Sequence, residues 1–211
     1  MNALAKIKHV LQTQLPGEEA HLPLSPMGRK RSSEAIVNAH NVRESAVAVV
    51  LYEKENVLHG LLTERNTYNG NHSGQICFPG GKTDKKDASY EATAKRECFE
   101  ETGISPEKLS LIGELTPVYI PVSNHYVHPF IFHHQGEPKI DSDPYEVKSV
   151  FDFPIKALGQ PDIIKTTTIE LTKGKRLKDV PYFDLNQKIV WGATGIMLNE
   201  LKEVCKIAGV I

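Results

Sequence analysis

The longest β-branched apolar run in the chain is 45–52 (SAVAVVLY), apolar at nearly every position, the pattern of a strand covered on both faces. A polar tetrapeptide, 53–56, separates it from 57–65 (VLHGLLTER), so the pair predicts a β-hairpin. Further strands are predicted at 109–115, 127–133 and 146–155, and a second hairpin at 166–172 and 176–185 around Lys173-Gly174-Lys175. Three stretches carry a helical period instead. Residues 3–15 place Leu4, Ile7, Val10 and Leu11 on one side. Residues 192–208 repeat Ile196, Leu198, Leu201 and Val204. The third lies within 80–104, where Asp87 or Ser89 caps the start and Gly103 suits the C-terminus. Its stripe of Ala88, Ala92 and Phe99 is expected to pack on a sheet. The polar segments between read as loops: 16–31, a solvated arm with the basic cluster Arg29, Lys30 and Arg31; 66–74; 116–124, broken by Pro117 and Pro121; and 135–144. The N-terminal helix, followed by its arm, is expected to reach a partner subunit in a homodimer. The competing arrangement folds it back on its own sheet.

The chemistry concentrates in the central helix. Glu97, Glu100 and Glu101 stand at i, i+3 and i+4, where side chains share a face. Three like charges there repel, and a hard divalent cation would reverse that, since such ions take oxygen ligands. Arg96 adjoins Glu97 and stands four residues from Glu100, so it can orient the carboxylates. Upstream, Phe78-Pro79-Gly80-Gly81 ends a strand in a loop whose glycines allow close approach of backbone to a ligand. An acidic surface helix would carry the same triplet without any site. The ordered string FPGG, spacer, Arg96-Glu97-Cys98-Phe99-Glu100-Glu101-Thr102-Gly103-Ile104 argues against chance.

The remaining composition narrows the class. The 211 residues suit one domain, 32–211, preceded by the helix and arm of 1–31. A formal net charge of -1 gives no general attraction to nucleic acid or an anionic membrane, and neither is expected as a partner. Cys77, Cys98 and Cys205 are too widely spaced for a disulfide framework and fit a reducing cytoplasm. No apolar run reaches the ~18 residues of a membrane span, and the N-terminus lacks a signal-peptide pattern. His125, His128, His133 and His134 fall on or beside a predicted strand, where i and i+3 face opposite ways, so no histidine metal site is expected.

The string from Phe78 to Ile104 resembles the Nudix box of hydrolases that split nucleoside diphosphates linked to another moiety. Its tail matches position for position. Its front is one residue longer than usual, with Asp87 near where a Glu is expected, which resembles the coenzyme A pyrophosphatase branch. Thr63, Arg65, His72 and Gly74 fall where that branch has its additional motif. Gly70 stands where a basic residue is often found and Cys77 where Ala or Ser is usual. Val122-Ser123-Asn124, the pair Glu146-Val147 and Trp191-Gly192-Ala193-Thr194 also resemble it. The resemblance implies an α+β fold, a mixed β-sheet between helices in an α/β/α sandwich. It implies Mg²⁺ or Mn²⁺ held by Glu97, Glu100, Glu101 and the Gly81 backbone, with Arg96 beside them. Glu146, with Glu137, Asp141 and Asp143, is the acidic group outside the box. Arg65, His72, Gly80, Gly81, Ser123 and Asn124 would meet the substrate, coenzyme A or acyl-CoA. Lys173, Lys175, Arg176 and Lys178 either meet its phosphates or form a solvated hairpin tip. Two alternatives stay open. One is a Nudix hydrolase of ADP-ribose, NADH or dinucleoside polyphosphates. The other is a catalytically silent Nudix-type sensor, against which the intact glutamates speak.

Overall fold

The computed structural model describes residues 2–67, 72–171 and 176–211. Gly70 and the Lys173-Gly174-Lys175 turn lie outside the described residues.

Helix α1 (Ala3–Thr13) is capped by Asn2, whose side chain accepts from the Ala5 N–H at 2.9 Å. Ile7 and Val10 are buried, and Leu4 and Leu11 pack beside them on the same domain's core. The helix therefore takes the fold-back arrangement, and the apolar stripe that favoured a homodimer is spent within its own chain. The solvated arm expected after it is a packed segment. A 3₁₀ helix at Gly17–Leu24 buries Ala20, His21 and Leu24, and α2 (Ser32–Ile36) follows. The reason is distant in sequence. The fully buried Glu200 carboxylate accepts from the Gly17 N–H at 3.1 Å and from the Thr116 N–H and hydroxyl at 3.0 and 2.6 Å. It also bonds His21 Nε2 at 3.0 Å, and Asn199 Nδ2 donates to the Ala20 carbonyl at 2.7 Å. These polar partners come from the body of the domain, so local polarity read as solvent exposure.

The strands that follow are β1 (Arg43–Lys54), β2 (Val57–Arg65), β3 (Ile76–Cys77) and β4 (Gly80–Lys82). After α3 (Tyr90–Thr102) come β5 (Leu109–Glu114), β6 (Val118–Ile120), β7 (His125–His134) and β8 (Val147–Pro154). These form one mixed sheet. β1 runs parallel to β7, while β2 and β4 pair antiparallel with β1. β5 and β6 pair antiparallel with β7, and β3 and β8 with β2. A second sheet holds β9 (Ile164–Glu170), β10 (Arg176–Leu185) and β11 (Lys188–Trp191), and α4 (Gly192–Ile207) closes the chain. The predicted hairpins at 45–65 and 166–185 are both present. The irregular 116–124 stretch contains a short strand, β6, because Val118 and Tyr119 lie between the prolines and pair with β7. β11 went unread because four residues carry too little periodicity.

The core has two parts. One face of the large sheet buries Val49, Leu51, Leu62 and Ile131 against α1 and α4. The other buries Ala46, Ala48, Val50 and Phe132 against Ala94 and Cys98 of α3. The sheet between helices gives the expected α+β class. Among the described residues no helix is long and apolar enough to cross a membrane.

Candidate metal and diphosphate site

Helix α3 begins where the Ser89 hydroxyl accepts from the Ala92 N–H at 3.1 Å. It ends at Gly103, whose φ of +75° suits the residue that closes a helix, with its N–H on the Phe99 carbonyl at 2.8 Å. Asp87, the other cap candidate, serves elsewhere. The buried face is Thr93, Ala94, Cys98, Glu101 and Thr102, and the expected stripe of Ala88, Ala92 and Phe99 is not the packing face. Ala88 precedes the helix and Phe99 is 49% exposed. The three small buried residues Ala94, Cys98 and Thr102 repeat at i+4, which lets the helix approach β1 closely.

That rotation sets the carboxylates. Glu101 is 2% exposed and accepts from the Gly80 N–H at 3.3 Å and from Arg65 Nη1 at 3.3 Å. Burial pushes its carboxyl up to about 7, with Arg65 opposing and Glu97 and Glu146 adding to the rise. Burial also raises Glu97, against the pull of Arg96, and Glu100 and Glu146 add their charge. The Glu97 carboxylate lies against Gly81, where any Cβ would collide with it. Gly80 is equally constrained, since a Cβ there would stand 2.7 Å from the Val47 Cα.

The expectation of three carboxylates converging on one ion is not met. Glu100 is displaced about 100° from Glu101 around the axis. Its side chain is 54% exposed and held by Arg96 Nη1 at 2.8 Å. Among the described residues no group of three His, Cys, Asp or Glu side chains stands ready to ligate. Arg96 is an organiser. Its Nε and Nη2 donate to Asp87 at 2.9 and 2.8 Å, its Nη1 to Glu97 at 2.8 Å, and its Nη2 to the Lys82 carbonyl at 3.1 Å. The paired Arg96 holds the Asp87 carboxyl well below the usual carboxylate range. The donor set nevertheless fits a divalent cation. Two neighbouring carboxylates are forced into a desolvated site with Glu146 adding like charge, a cost that a hard cation would offset.

The site opens into a cleft of about 1340 Å³. Glu97, Glu101, Glu146, Gly80 and Gly81 line it, as do Arg65, His72, Ser123 and Asn124, whereas Arg96 and Glu100 do not. His72 has a φ of +66°, pairs its Nδ1 with Gln75 at 3.0 Å and keeps its buried Nε2 without a hydrogen-bond partner. Asn124 is committed to the fold. Its side chain accepts from the Tyr119 hydroxyl at 2.8 Å and donates to the His40 and Asn41 carbonyls, each at 3.0 Å. Burial lowers His125, assisted by the charges of Arg43, His72 and Lys82. A basic flank thus borders the acidic helix. Arg29, Arg43, Lys82, Trp191 and Thr194 line the cleft without having been predicted as site residues. Trp191 and Thr194 carried a signal as part of the WGAT string, and Arg29 as part of a basic cluster read as a solvated arm.

Comparison with known proteins gives the family of the chain. The NUDIX domain family matches residues 42–173. The Nudix hydrolase NudL of Photorhabdus laumondii is 29% identical over 148 residues, covering 70% of this chain and 77% of the relative. Nudix hydrolase 3 of Caenorhabditis elegans is 30% identical over 159 residues, covering 66% of this chain and 64% of the relative. Among solved structures, the Nudix hydrolase RenU of M. smegmatis superposes with a TM-score of 0.55 at 13% identity, over 78% of this chain and 86% of that one. With the family match spanning more than half the chain and the box glutamates set on its central helix, this protein belongs to the Nudix family.

Proposed function

We propose that the protein is a divalent-cation-dependent hydrolase of nucleoside-diphosphate derivatives, and that coenzyme A or its acyl forms are the substrate. The observation that carries this reading is the convergence in one cleft of Glu97, Glu101 and Glu146 with Arg65 and His72. The first set is the acidic part of the box and its outlying carboxylate. The second belongs to the motif resembling the coenzyme A branch.

Glu97, Glu101 and the Gly81 backbone would hold the ion, with Glu100 in reserve behind its Arg96 pair. Bound Mg²⁺ or Mn²⁺ supplies charge neutralisation at the phosphoryl oxygens and lowers the pKa of water. Arg65 and the Gly80 N–H fix the Glu101 carboxylate, while Arg96 fixes Glu97 from outside the cleft. Such positioning residues act by pre-organising charge. His72 offers its unpartnered Nε2 to a phosphate oxygen. Glu146, close enough to bias Glu97 and Glu101, is the carboxylate we assign to accept a proton from the attacking water.

The test is a hydrolysis panel of coenzyme A, ADP-ribose, NADH and dinucleoside polyphosphates with Mg²⁺ or Mn²⁺, and with chelator. Expected products are 4′-phosphopantetheine and adenosine 3′,5′-bisphosphate, lost on chelation. Preferred turnover of another member would reject the coenzyme A assignment. Tight binding of a nucleotide with no turnover would leave a sensor. Arg65→Ala and His72→Ala should impair coenzyme A hydrolysis more than ADP-ribose hydrolysis, and equal losses would make both residues generic.

A further inference from the structure

The N-terminal segment carries a cation into the cleft that the diphosphate site does not use. Arg29 follows Gly28, which turns the chain with a φ of +80°. Its guanidinium is half-buried, and Nη2 donates to the Tyr119 carbonyl at 2.8 Å. No carboxylate among the described residues pairs with it, and burial alone accounts for its lowered pKa. A partly desolvated guanidinium without a counter-ion costs free energy that a bound anion would offset. Arg29 also keeps donors beyond the one used on Tyr119, in a planar fork matched to phosphate.

Its setting is built from other elements. The turn joining β6 to β7 is clamped by Asn124, and the Arg43 N–H donates to the Asn124 carbonyl at 2.9 Å. Arg29 is thus attached to β6 and Arg43 to the turn that follows it, and both line the cleft. Arg43 likewise pairs with no carboxylate among the described residues. Met27 and Val122 beside them are 96% and 72% exposed, so the cleft wall is open there.

We propose that Arg29, with Arg43 beside it in the cleft lining, forms a second anion subsite that takes a phosphate monoester carried by the substrate in addition to its diphosphate. The proposal rests on the hydrolase reading for its substrate. The subsite itself can be read without turnover.

Calorimetric titration with adenosine 3′,5′-bisphosphate and with adenosine 5′-monophosphate reads it directly. The intact protein should bind the bisphosphate about tenfold more tightly. Arg29→Met, which keeps packing but removes charge, should erase that preference, and Arg29→Lys should restore part of it. Thermal melts of both variants report folding, and Arg43→Met provides an independent loss of charge in the same cleft lining. In steady-state assays Arg29→Met should raise KM for coenzyme A about tenfold, leave KM for dephospho-coenzyme A unchanged and leave kcat unchanged. No bisphosphate preference in the intact protein, or an equal loss on both nucleotides, overturns the subsite. If neither coenzyme is hydrolysed, the proposed activity falls while the titration still decides the subsite.

Discussion

Glu101 sits between Arg65 and the Gly80 N–H at 2% exposure, its carboxyl pushed up to about 7 from an ordinary 4.5. Its folded pKa is above its unfolded one, so ionisation opposes folding. Without metal, Glu101 should therefore lower stability progressively as pH rises from 4.5 to about 7. Glu101→Gln removes that penalty while keeping an acceptor for the Gly80 N–H. We expect an unchanged or higher melting temperature in chelator, no further rise on adding Mg²⁺, and a loss of activity of about 100-fold or more. A variant that retains both turnover and a Mg²⁺-dependent rise would remove Glu101 from the metal site. Arg96 acts on the same atoms from outside. Arg96→Met frees Glu97, Glu100 and Asp87 together and should weaken Mg²⁺ affinity about tenfold with only a small change in kcat at saturating metal. Metal titration of activity checks this split. An unchanged midpoint would reduce Arg96 to a surface pair.

Among the elements, the 3₁₀ segment and α4 depend on one carboxylate. Glu200 is fully buried and satisfies groups on Gly17, His21 and Thr116. Glu200→Ala strands those donors and should cost about 3 kcal/mol of unfolding free energy. Urea denaturation measures it, and a loss below about 0.5 kcal/mol would mean that apolar contacts alone dock the segment. The expected effect extends to the cleft, since Arg29 follows that segment in the chain. Glu64 ties β2 to β8 and β11 through Lys148 and Lys188, both at 2.6 Å, and these partners hold its carboxyl at about 2. A folded pKa below the ordinary 4.5 stabilises at higher pH, and that contribution is lost as pH falls from 4.5 towards 2. The acid side of the melting curve should therefore flatten in Glu64→Gln. An identical acid slope would show the cluster to be solvent-screened.

For the whole molecule, the sheet divides labour between its faces. One face and the first 30 residues build the larger core, with Ile7, Val10 and Leu24 among its buried side chains. The other supports α3 and so aims Glu97 and Glu101 at β4. Deleting residues 1–30 removes those three core side chains, each worth about 1.5–3 kcal/mol of burial, as well as Arg29. We expect a melting temperature lower by 10 °C or more, since such losses approach the whole stability of a domain. A truncated chain with an unchanged melting point would show that the segment docks loosely.

The sequence by itself determined what depends on near neighbours and on ordered spacing. The hairpins, the capped helix from Ser89 to Gly103 and the identity of the box glutamates were all legible, because periodicity, caps and glycines act within a few residues. Only the tertiary structure decided which face α3 buries. Ala94, Cys98 and Thr102 are chosen by the space over β1, and that choice turns Glu97 and Glu101 into the cleft and leaves Glu100 outside it. The same holds for the N-terminal segment. Its polar residues looked solvated because Glu200, Asn199 and Tyr119, which receive them, lie about 90 to 180 residues away. Long-range partners of buried polar groups leave no local pattern, so Arg29 became visible as a cleft residue only once the chain had closed around it.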